Sequence, residues 1–168
     1  GGFDQVIVRP ALQGKDLIGL AQTGSGKTAA FVLPLAEKLK HGDGLRALIL
    51  CPTREIALQT KTFCDLFGRH HKLVTACVIG GVTMNPQIKA LQNNPDIVVA
   101  TPGRLLDHLE RKNVSLQHLT DLILDEADHM LDLGFLPQIE KIMRHVPHKR
   151  RTMMFSASMP SAIERLAR

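Results

Sequence analysis

The sequence contains no tryptophan, no tyrosine and only six phenylalanines among its 168 residues. Proteins that bind single-stranded nucleic acids without sequence preference usually stack the bases on aromatic rings. Because this chain has few rings for that purpose, any nucleic acid that it binds is expected to be contacted at its sugars and phosphates rather than at its bases.

Cysteine is also scarce, and Cys51, Cys64 and Cys77 are far apart in the chain. No CxxC pair is present and the eight histidines show no metal-ligand spacing, so we do not expect a zinc site. The cysteines lie in apolar or amphipathic stretches, which predicts buried, reduced thiols. No apolar run is as long as a membrane span and no signal peptide is visible, so we expect a cytoplasmic protein that does not enter a membrane.

The remaining composition is ordinary for one globular domain. The length of 168 residues suits a single core, and 44% of the residues are apolar and 22% charged. The formal net charge of +5 at pH 7 is compatible with a polyanionic partner but does not require one.

Short apolar runs that suit β-strands alternate with patterns that suit helices. Some strand-like runs are continuously apolar, such as residues 47–50, which is typical of parallel strands covered on both faces. Helices are predicted over Lys27–Lys40 and Gly134–His145, and another is predicted to begin with Thr101 as N-cap and Pro102 in its first position. The alternation predicts one α/β domain with a mostly parallel β-sheet flanked by helices on both faces. The predicted strands are Asp16–Leu20, Arg46–Cys51, Leu73–Ile79, Asp96–Ala100, Asp121–Asp125 and Thr152–Ser156.

A glycine-rich segment follows the first predicted strand, where such sheets bind their ligands. Gly24 and Gly26 allow the backbone N–H groups to face phosphate oxygens, and the following helix adds partial positive charge. Lys27 suits the β- and γ-phosphates of ATP, and the Thr28 hydroxyl suits Mg²⁺. A flexible turn is the alternative, but the strand before the segment and the amphipathic helix after it favour a nucleotide site. The predicted phosphate loop comprises Ala21, Gln22, Thr23, Gly24, Ser25, Gly26, Lys27 and Thr28, with Ala21 where the usual pattern has glycine.

The apolar run 122–124 leads into the acidic sequence Asp125-Glu126-Ala127-Asp128. P-loop enzymes use an aspartate at the end of such a strand to hold Mg²⁺, and Asp125 suits that role through water. Glu126 can orient and deprotonate an attacking water, whereas Asp128 suits a structural or coupling contact. Without the phosphate loop, the same residues would be interpreted as a solvated acidic turn.

Small residues, hydroxyls and arginines follow the other predicted strands. Each segment alone is a weak signal, because Pro-Thr and Thr-Pro are common helix starts and Gly-Gly is a common turn. In their order along the chain, the motifs AQTGSGKT, PTREIA, GG, TPGR, DEAD and SAS together resemble the DEAD-box RNA helicases of superfamily 2. The resemblance covers essentially the whole chain and corresponds to the first of that family's two RecA-like domains.

The resemblance implies a RecA-like P-loop fold and an ATP-dependent RNA helicase that uses ATP and Mg²⁺. It implies that Lys27, Asp125 and Glu126 are catalytic and that Thr28 and Asp125 serve the metal. It also implies backbone contacts to RNA, without sequence preference, through the set Pro52, Thr53, Arg54, Gly80, Gly81, Thr101, Pro102, Gly103 and Arg104. Finally, it implies that hydrolysis is coupled to strand separation through Asp128, Ser156 and Ser158, although the family usually has threonine at the position of Ser158.

The amino-terminal segment departs from the family pattern. Gln5 and Pro10 have the spacing of the glutamine that reads adenine and of the proline that follows it, but the expected Pro-Thr-x-Ile-Gln context is absent. We therefore expect either that Gln5 reads the adenine or that no residue of this chain does.

The sequence ends soon after Ser158, so we expect the second RecA-like domain of the family, with its arginine fingers, to lie outside this chain. An arginine finger accelerates phosphoryl transfer by about 10³–10⁵-fold. The chain alone is therefore expected to be a monomer that binds nucleotide, hydrolyses it slowly and does not unwind RNA. Three alternatives remain: a P-loop phosphotransferase, a non-catalytic RNA-binding module and a superfamily 2 DNA helicase. A comparison of how strongly RNA and DNA stimulate the ATPase activity of the full-length protein separates them.

Overall fold

A computed structural model of the chain describes residues 5–8, 17–20, 25–158 and 161–166. Within these ranges seven strands form one sheet. The strands are β1 (Gln5–Val8), β2 (Leu17–Leu20), β3 (Ala47–Leu50), β4 (Thr75–Val78), β5 (Ile97–Ala100), β6 (Asp121–Leu124) and β7 (Arg151–Ser156).

Six of the strands run parallel in the order β2-β7-β6-β3-β5-β4, and β1 pairs antiparallel with β2 at one edge. The predicted mostly parallel sheet and its six predicted strands are thus confirmed, with shorter ends than expected for most of them. Strand β1 was not predicted, because a run of three apolar residues after Gln5 is too short to indicate a strand by its pattern.

Helices fill the connections between the parallel strands. The helices predicted from the sequence are confirmed to within about two residues at each end. None of the helices in the described ranges is long and apolar enough to cross a membrane. The helices are α1 (Ser25–Lys38), α2 (Arg54–Gly68), α3 (Met84–Gln92), α4 (Pro102–Glu110), α5 (Ala127–Asp132), α6 (Leu136–Met143) and α7 (Ser161–Leu166), and a short 3₁₀ helix spans Arg69–His71.

The central strands β3, β5 and β6 are buried on both faces, because alternate side chains contact helices on opposite sides of the sheet. In β3, Leu48 and Leu50 pack with α4, α5 and α6, whereas Ala47 and Ile49 pack with α1 and α2. All four side chains are fully buried, which explains why the run is continuously apolar rather than alternating. The predicted helices on both faces of the sheet are confirmed.

The cysteines occupy one of these two cores. Cys51 and Cys64 are buried free thiols, as predicted, but Cys77 is only half-buried, so the prediction was wrong for this residue. Cys77 lies on β4, which is the edge strand of the sheet and is covered less completely. Burial raises the pKa of Cys64 to about 12 and that of Cys77 to about 11, so both thiols are protonated at neutral pH.

Candidate functional site

The carboxyl ends of four neighbouring strands, β6, β3, β5 and β4, form one continuous edge. The backbone N–H groups of Asp125, Cys51 and Thr101 each donate to a carbonyl near the end of the neighbouring strand, at 2.9, 2.9 and 3.1 Å. These bonds extend the sheet by one residue beyond its strands. Residues from separate sequence motifs therefore project from a single rigid edge, which is where parallel sheets bind ligands.

The acidic pair Asp125 and Glu126 follows β6 on this edge. Asp125 is 1% exposed, so its carboxylate is shielded from bulk solvent. Glu126 has φ 51° and ψ 55°, which is the left-handed region, and it is the N-cap residue of α5. This conformation costs a residue with a side chain about 1–2 kcal/mol, and such strain is concentrated at functional sites. The Glu126 side chain is 14% exposed, with Oε1 at 3.5 Å from Nδ1 of His129.

The three residues assigned to coupling lie together. The backbone N–H of Asp128 donates to Oγ of Ser156 at 3.2 Å, and Oγ of Ser158 donates to Oδ2 of Asp128 at 3.5 Å. Asp128 also accepts a hydrogen bond from the backbone N–H of His129 at 3.0 Å. The end of β7 is thus joined to the start of α5 by side-chain hydrogen bonds.

The predicted phosphate loop is described from its second half onward. Ala21, Gln22, Thr23 and Gly24 lie outside the described residues, whereas the backbone of Ser25, Gly26 and Lys27 forms the first turn of α1. Thr28 follows in the same turn and is 9% exposed. Leu20, the residue before the loop, pairs with Ser156, which contacts Asp128. The end of β2 at Leu20 therefore lies beside the end of β7, which contacts the acidic segment. The backbone of Gln5 pairs with the same Leu20.

The segment after β3 contains Pro52, Thr53 and Arg54. Pro52 is buried, and the Thr53 hydroxyl accepts a hydrogen bond from the backbone N–H of Ile56 at 3.2 Å, so Thr53 is the N-cap of α2. Arg54 opens the helix and its side chain is exposed at the edge of the sheet.

The Arg54 guanidinium lies against Gly81, which follows β4. Gly81 has φ 79°, and a Cβ atom at this position would lie 2.6 Å from Nη1 of Arg54. The positive φ therefore favours glycine here, and a Cβ atom would force the end of the Arg54 side chain to move. Gly80, in contrast, has open space around its Cα.

The segment after β5 begins α4. Thr101 is the N-cap and Pro102 the first helical residue, as predicted, with Pro102 buried and Gly103 exposed. Arg104 Nη1 donates to the carbonyl of Val82 at 2.9 Å and to Oε1 of Gln87 at 3.2 Å. Arg104 thus holds the loop that contains Gly81.

Two polar residues in this region were not singled out from the sequence. Gln87 is 5% exposed on α3 and His108 is fully buried on α4, and the two are joined by a hydrogen bond of 2.9 Å. The sequence could have indicated both residues, because each is a polar residue within the apolar stripe of a helix. Gln87, for example, lies between Met84 and Leu91 in that stripe. A polar side chain at a core position requires a buried partner, but the sequence does not name that partner.

No group of three or more histidine, cysteine or acidic side chains that could hold a metal ion occurs among the residues that the structure describes. A Mg²⁺ ion bound with a nucleotide needs fewer protein ligands, since phosphates and water fill most of its octahedron. The buried carboxylate of Asp125 and the hydroxyl of Thr28 are hard oxygen donors of the kind that Mg²⁺ prefers, so the described residues fit such an ion.

The chain matches the family model of the DEAD/DEAH box helicases over residues 3–166. It is 47% identical over 164 residues to the DEAD-box ATP-dependent RNA helicase 20 of Arabidopsis thaliana, which covers 94% of this chain and 33% of the relative. It is 52% identical over 157 residues to the DEAD-box ATP-dependent RNA helicase CshA of Streptococcus pneumoniae serotype 4, which covers 93% of this chain and 30% of that relative. The chain therefore spans about a third of the length of these relatives.

A solved structure is also similar. The crystal structure of a DEAD box protein from the hyperthermophile Methanococcus jannaschii superposes with a TM-score of 0.85 at 45% sequence identity, over 89% of this chain and 41% of that one. The resemblance inferred from the sequence motifs and the predicted RecA-like fold class are both confirmed.

Proposed function

This chain belongs to the DEAD/DEAH box helicase family, and we propose that it is the ATP-binding domain of an ATP-dependent RNA helicase. In this proposal, residues 1–168 are the first of two RecA-like domains. The full protein hydrolyses ATP to separate or remodel RNA duplexes locally. The observation that carries the proposal is the shared edge of the sheet, where the acidic pair and the three other strand-end segments begin within one hydrogen-bonded row.

The nucleotide half of the site comprises the phosphate loop, Ala21 to Thr28, and the acidic pair. Thr28 and Asp125 would hold Mg²⁺, which neutralises charge that develops on the β- and γ-phosphates during transfer. Lys27 binds the same phosphates, and Glu126 orients the attacking water and accepts its proton. The fixed left-handed backbone of Glu126 supports this role, because it sets the direction of the side chain. Gln5 is the proposed adenine reader.

The RNA half of the site comprises the strand-end residues after β3, β4 and β5. The start of α4, with Thr101, Pro102 and Gly103, offers backbone N–H groups and the partial positive charge of a helix N-terminus to a phosphate. Arg54 supplies an exposed cation beside Gly81, and Arg104 and Gly80 complete the surface. Contacts of this kind give little sequence preference and a strong dependence on salt.

The phenylalanines support contacts to the backbone rather than to the bases. Phe31 and Phe155 are buried in the core, with ring centroids 5.1 Å apart. Phe63, Phe67 and Phe135 are half-buried and pack against the two cores. In the described ranges, the phenylalanine rings are therefore occupied by core packing and do not form an exposed platform for stacking bases.

The second RecA-like domain is the main partner in this proposal. It supplies the arginine fingers and the other half of the RNA cleft, so this chain alone is a monomer that binds nucleotide and turns it over slowly. Asp128, Ser156 and Ser158 couple hydrolysis to the movement of the RNA-binding segments, which their mutual hydrogen bonds support. A cytoplasmic location is proposed from the free cysteines alone.

The test is the nucleic-acid dependence of ATP turnover by the full-length protein. Single-stranded RNA is expected to stimulate turnover, and DNA of the same sequence is not. The Arg104→Ala variant is expected to need more RNA for half-maximal stimulation while it binds nucleotide like the parent. Equal stimulation by DNA, or phosphorylation of a small-molecule acceptor, would contradict the proposal. Full turnover by the 168-residue chain alone would refute the requirement for a second domain.

A further inference from the structure

The buried carboxamide of Gln87 connects the two loops of the proposed RNA surface. Its Nε2 donates to the carbonyl of Ile79 at 2.8 Å. Its Oε1 accepts from Nη1 of Arg104 at 3.2 Å and is 2.9 Å from Nε2 of His108. One side chain, 5% exposed, therefore contacts the end of β4 and two residues of α4.

The neighbours of Gln87 fix the direction of its amide group. An arginine side chain only donates hydrogen bonds, so the atom facing Arg104 must be the amide oxygen. The same oxygen requires that His108 carries its proton on Nε2. The other ring nitrogen, Nδ1, then accepts from Nδ2 of Asn113 at 3.1 Å. At each of these contacts a donor thus faces an acceptor, which gives the network a single arrangement.

The loop between Ile79 and Val82 is held at both ends by this network. Gln87 binds the Ile79 carbonyl at one end, and Arg104 binds the Val82 carbonyl at the other, at 2.9 Å. Gly81 lies between them in the left-handed conformation, with Arg54 against it. A displacement of the Gln87 amide would therefore move the loop, the Arg104 guanidinium and the cation of Arg54 relative to one another.

We propose that Gln87 is a positioning residue for RNA binding, which fixes the loop Ile79–Val82 relative to Arg104 without contacting the RNA itself. The inference rests on the proposed function, because it assigns these segments to the RNA surface. A positioning residue can be distinguished from a residue that only stabilises the fold by the quantities that its substitution changes. A residue that only stabilises the fold alters nucleotide binding, RNA binding and turnover together, whereas a positioning residue of this surface alters the dependence on RNA alone.

The experiment compares Gln87→Ala with Gln92→Ala in the full-length protein. Gln92 is an exposed glutamine at the end of the same helix, so it is a matched control. Three quantities are measured: the single-stranded RNA concentration that gives half-maximal ATP turnover, the turnover at saturating RNA, and the affinity for an ATP analogue without RNA. We expect Gln87→Ala to raise the first about tenfold, the value of one net buried hydrogen bond, and to leave the other two within about twofold. Gln92→Ala should resemble the parent.

The isosteric variant Gln87→Met separates the hydrogen bonds from the volume of the side chain. It fills the same space without polar atoms, so it should raise the RNA requirement as much as Gln87→Ala does. The double variant Gln87→Ala with Arg104→Ala should lose less than the sum of the two single losses, since both act on one loop.

Three results would overturn the proposal. One is an unchanged RNA requirement in Gln87→Met. Another is a parallel fall in nucleotide affinity and saturated turnover, which would indicate a purely structural residue. The third is full additivity with Arg104→Ala. Failure of the proposed function would look different, since the parent protein itself would then show no stimulation by RNA.

Discussion

The two edges of the sheet carry very different residues. The segments that lead into β3, β4, β5, β6 and β7 contain nine lysines and arginines, six of the eight histidines and two acidic residues, Asp43 and Asp96. These segments are residues 39–46, 69–74, 93–96, 111–120 and 144–150. The segments that leave β3, β4, β5 and β6 contain no lysine or arginine before the next helix begins and two acidic residues, Asp125 and Glu126. The basic excess of the chain is thus concentrated opposite the candidate site.

The direction of the helices explains much of this difference. Helices that connect parallel strands run back across the sheet, so their C-termini point to the amino edge and their N-termini to the carboxyl edge. Lysines and arginines near helix C-termini are favoured by the helix dipole. At the carboxyl edge the N-termini supply the positive potential, and small residues allow an anion to approach the backbone. Net charge was therefore a poor guide to the proposed RNA surface, and the position of helix N-termini was a better one.

The residues with positive φ show the same contrast. Lys72, Asn94 and Lys112 have φ between 55° and 60° and lie at the ends of helices near the amino edge, where this conformation commonly terminates a helix. Glu126 has φ 51° at the beginning of a helix on the carboxyl edge. Because a left-handed residue is not needed to start a helix, the strain at Glu126 is better explained by the direction that it gives the side chain.

The largest effect is expected from Glu126→Gln at the carboxyl edge. Loss of the proposed general base should lower the RNA-stimulated turnover of the full-length protein by about 10²–10⁴-fold, while the shape of the side chain is kept. Affinity for an ATP analogue should change by less than about twofold, since glutamine keeps the hydrogen-bonding geometry. Steady-state ATPase assays and nucleotide titrations measure the two quantities.

Glu140→Gln is the control for this change, because Glu140 is exposed on α6 and carries the same charge. It should leave turnover within about twofold of the parent. A similar loss in both variants, or normal turnover in Glu126→Gln, would break the distinction between the two edges.

At the amino edge, Asp96→Ala is expected to lower stability rather than activity. Asp96 is fully buried and accepts from the backbone N–H groups of Val74 and Gly42 at 2.8 and 3.0 Å, with Nδ1 of His41 at 2.9 Å. Alanine would leave these donors without their partner, which costs about 2–3 kcal/mol of unfolding free energy. Urea denaturation of the chain measures the loss.

The matched variant is Asp65→Ala, which removes an exposed carboxylate that pairs with Lys61 one turn earlier on α2. An exposed pair of this kind contributes about 0.5 kcal/mol or less. Folded Asp96→Ala should still bind the nucleotide analogue normally. A large loss in Asp65→Ala, or a small one in Asp96→Ala, would show that burial does not determine the stability of this edge.

The residues proposed to act on phosphates and metal could be named from the sequence because their chemistry restricts the residue type. A phosphate loop needs glycines before a helix. When an apolar strand ends in an acidic residue in the same chain as such a loop, a role in metal binding is the favoured interpretation. Gln87 could not be predicted in the same way. It lies eight residues after Ile79 and 21 before His108, the residues that it joins, and a pattern of apolar positions does not contain such pairings. The strain at Glu126 was equally hidden, because residues other than glycine are rarely in the left-handed region.

A smaller effect is expected from Gly81→Ala, and Gly42→Ala provides its control at the other edge. Both glycines have positive φ, 79° and 93°, so alanine strains the backbone similarly, by about 1 kcal/mol. Only at Gly81 would the new Cβ meet another group, Nη1 of Arg54 at 2.6 Å, whereas nothing lies within 4 Å at Gly42. We expect similar losses of stability, but a loss of RNA affinity of about tenfold in Gly81→Ala alone. Equal RNA affinities in the two variants would show that the position of Arg54 has no effect on binding.

The smallest effect is the pH dependence that His108 gives to stability. Burial, and then the positive charge of Arg104, lower the pKa of His108 below its ordinary value of 6.5 in the folded protein. Above about pH 6.5, His108 is neutral in both the folded and the unfolded states, and its contribution to stability is complete. As the pH falls below 6.5, the unfolded chain takes up a proton that the folded protein resists. The free energy of unfolding therefore decreases until the pH reaches the folded pKa. Urea denaturation between pH 5 and 8 should therefore show a shallower decrease in His108→Gln than in the parent.

His118→Gln, at an exposed histidine of the amino edge, should keep the decrease of the parent. If both variants keep it, the buried network of the carboxyl edge is not the origin of the pH dependence.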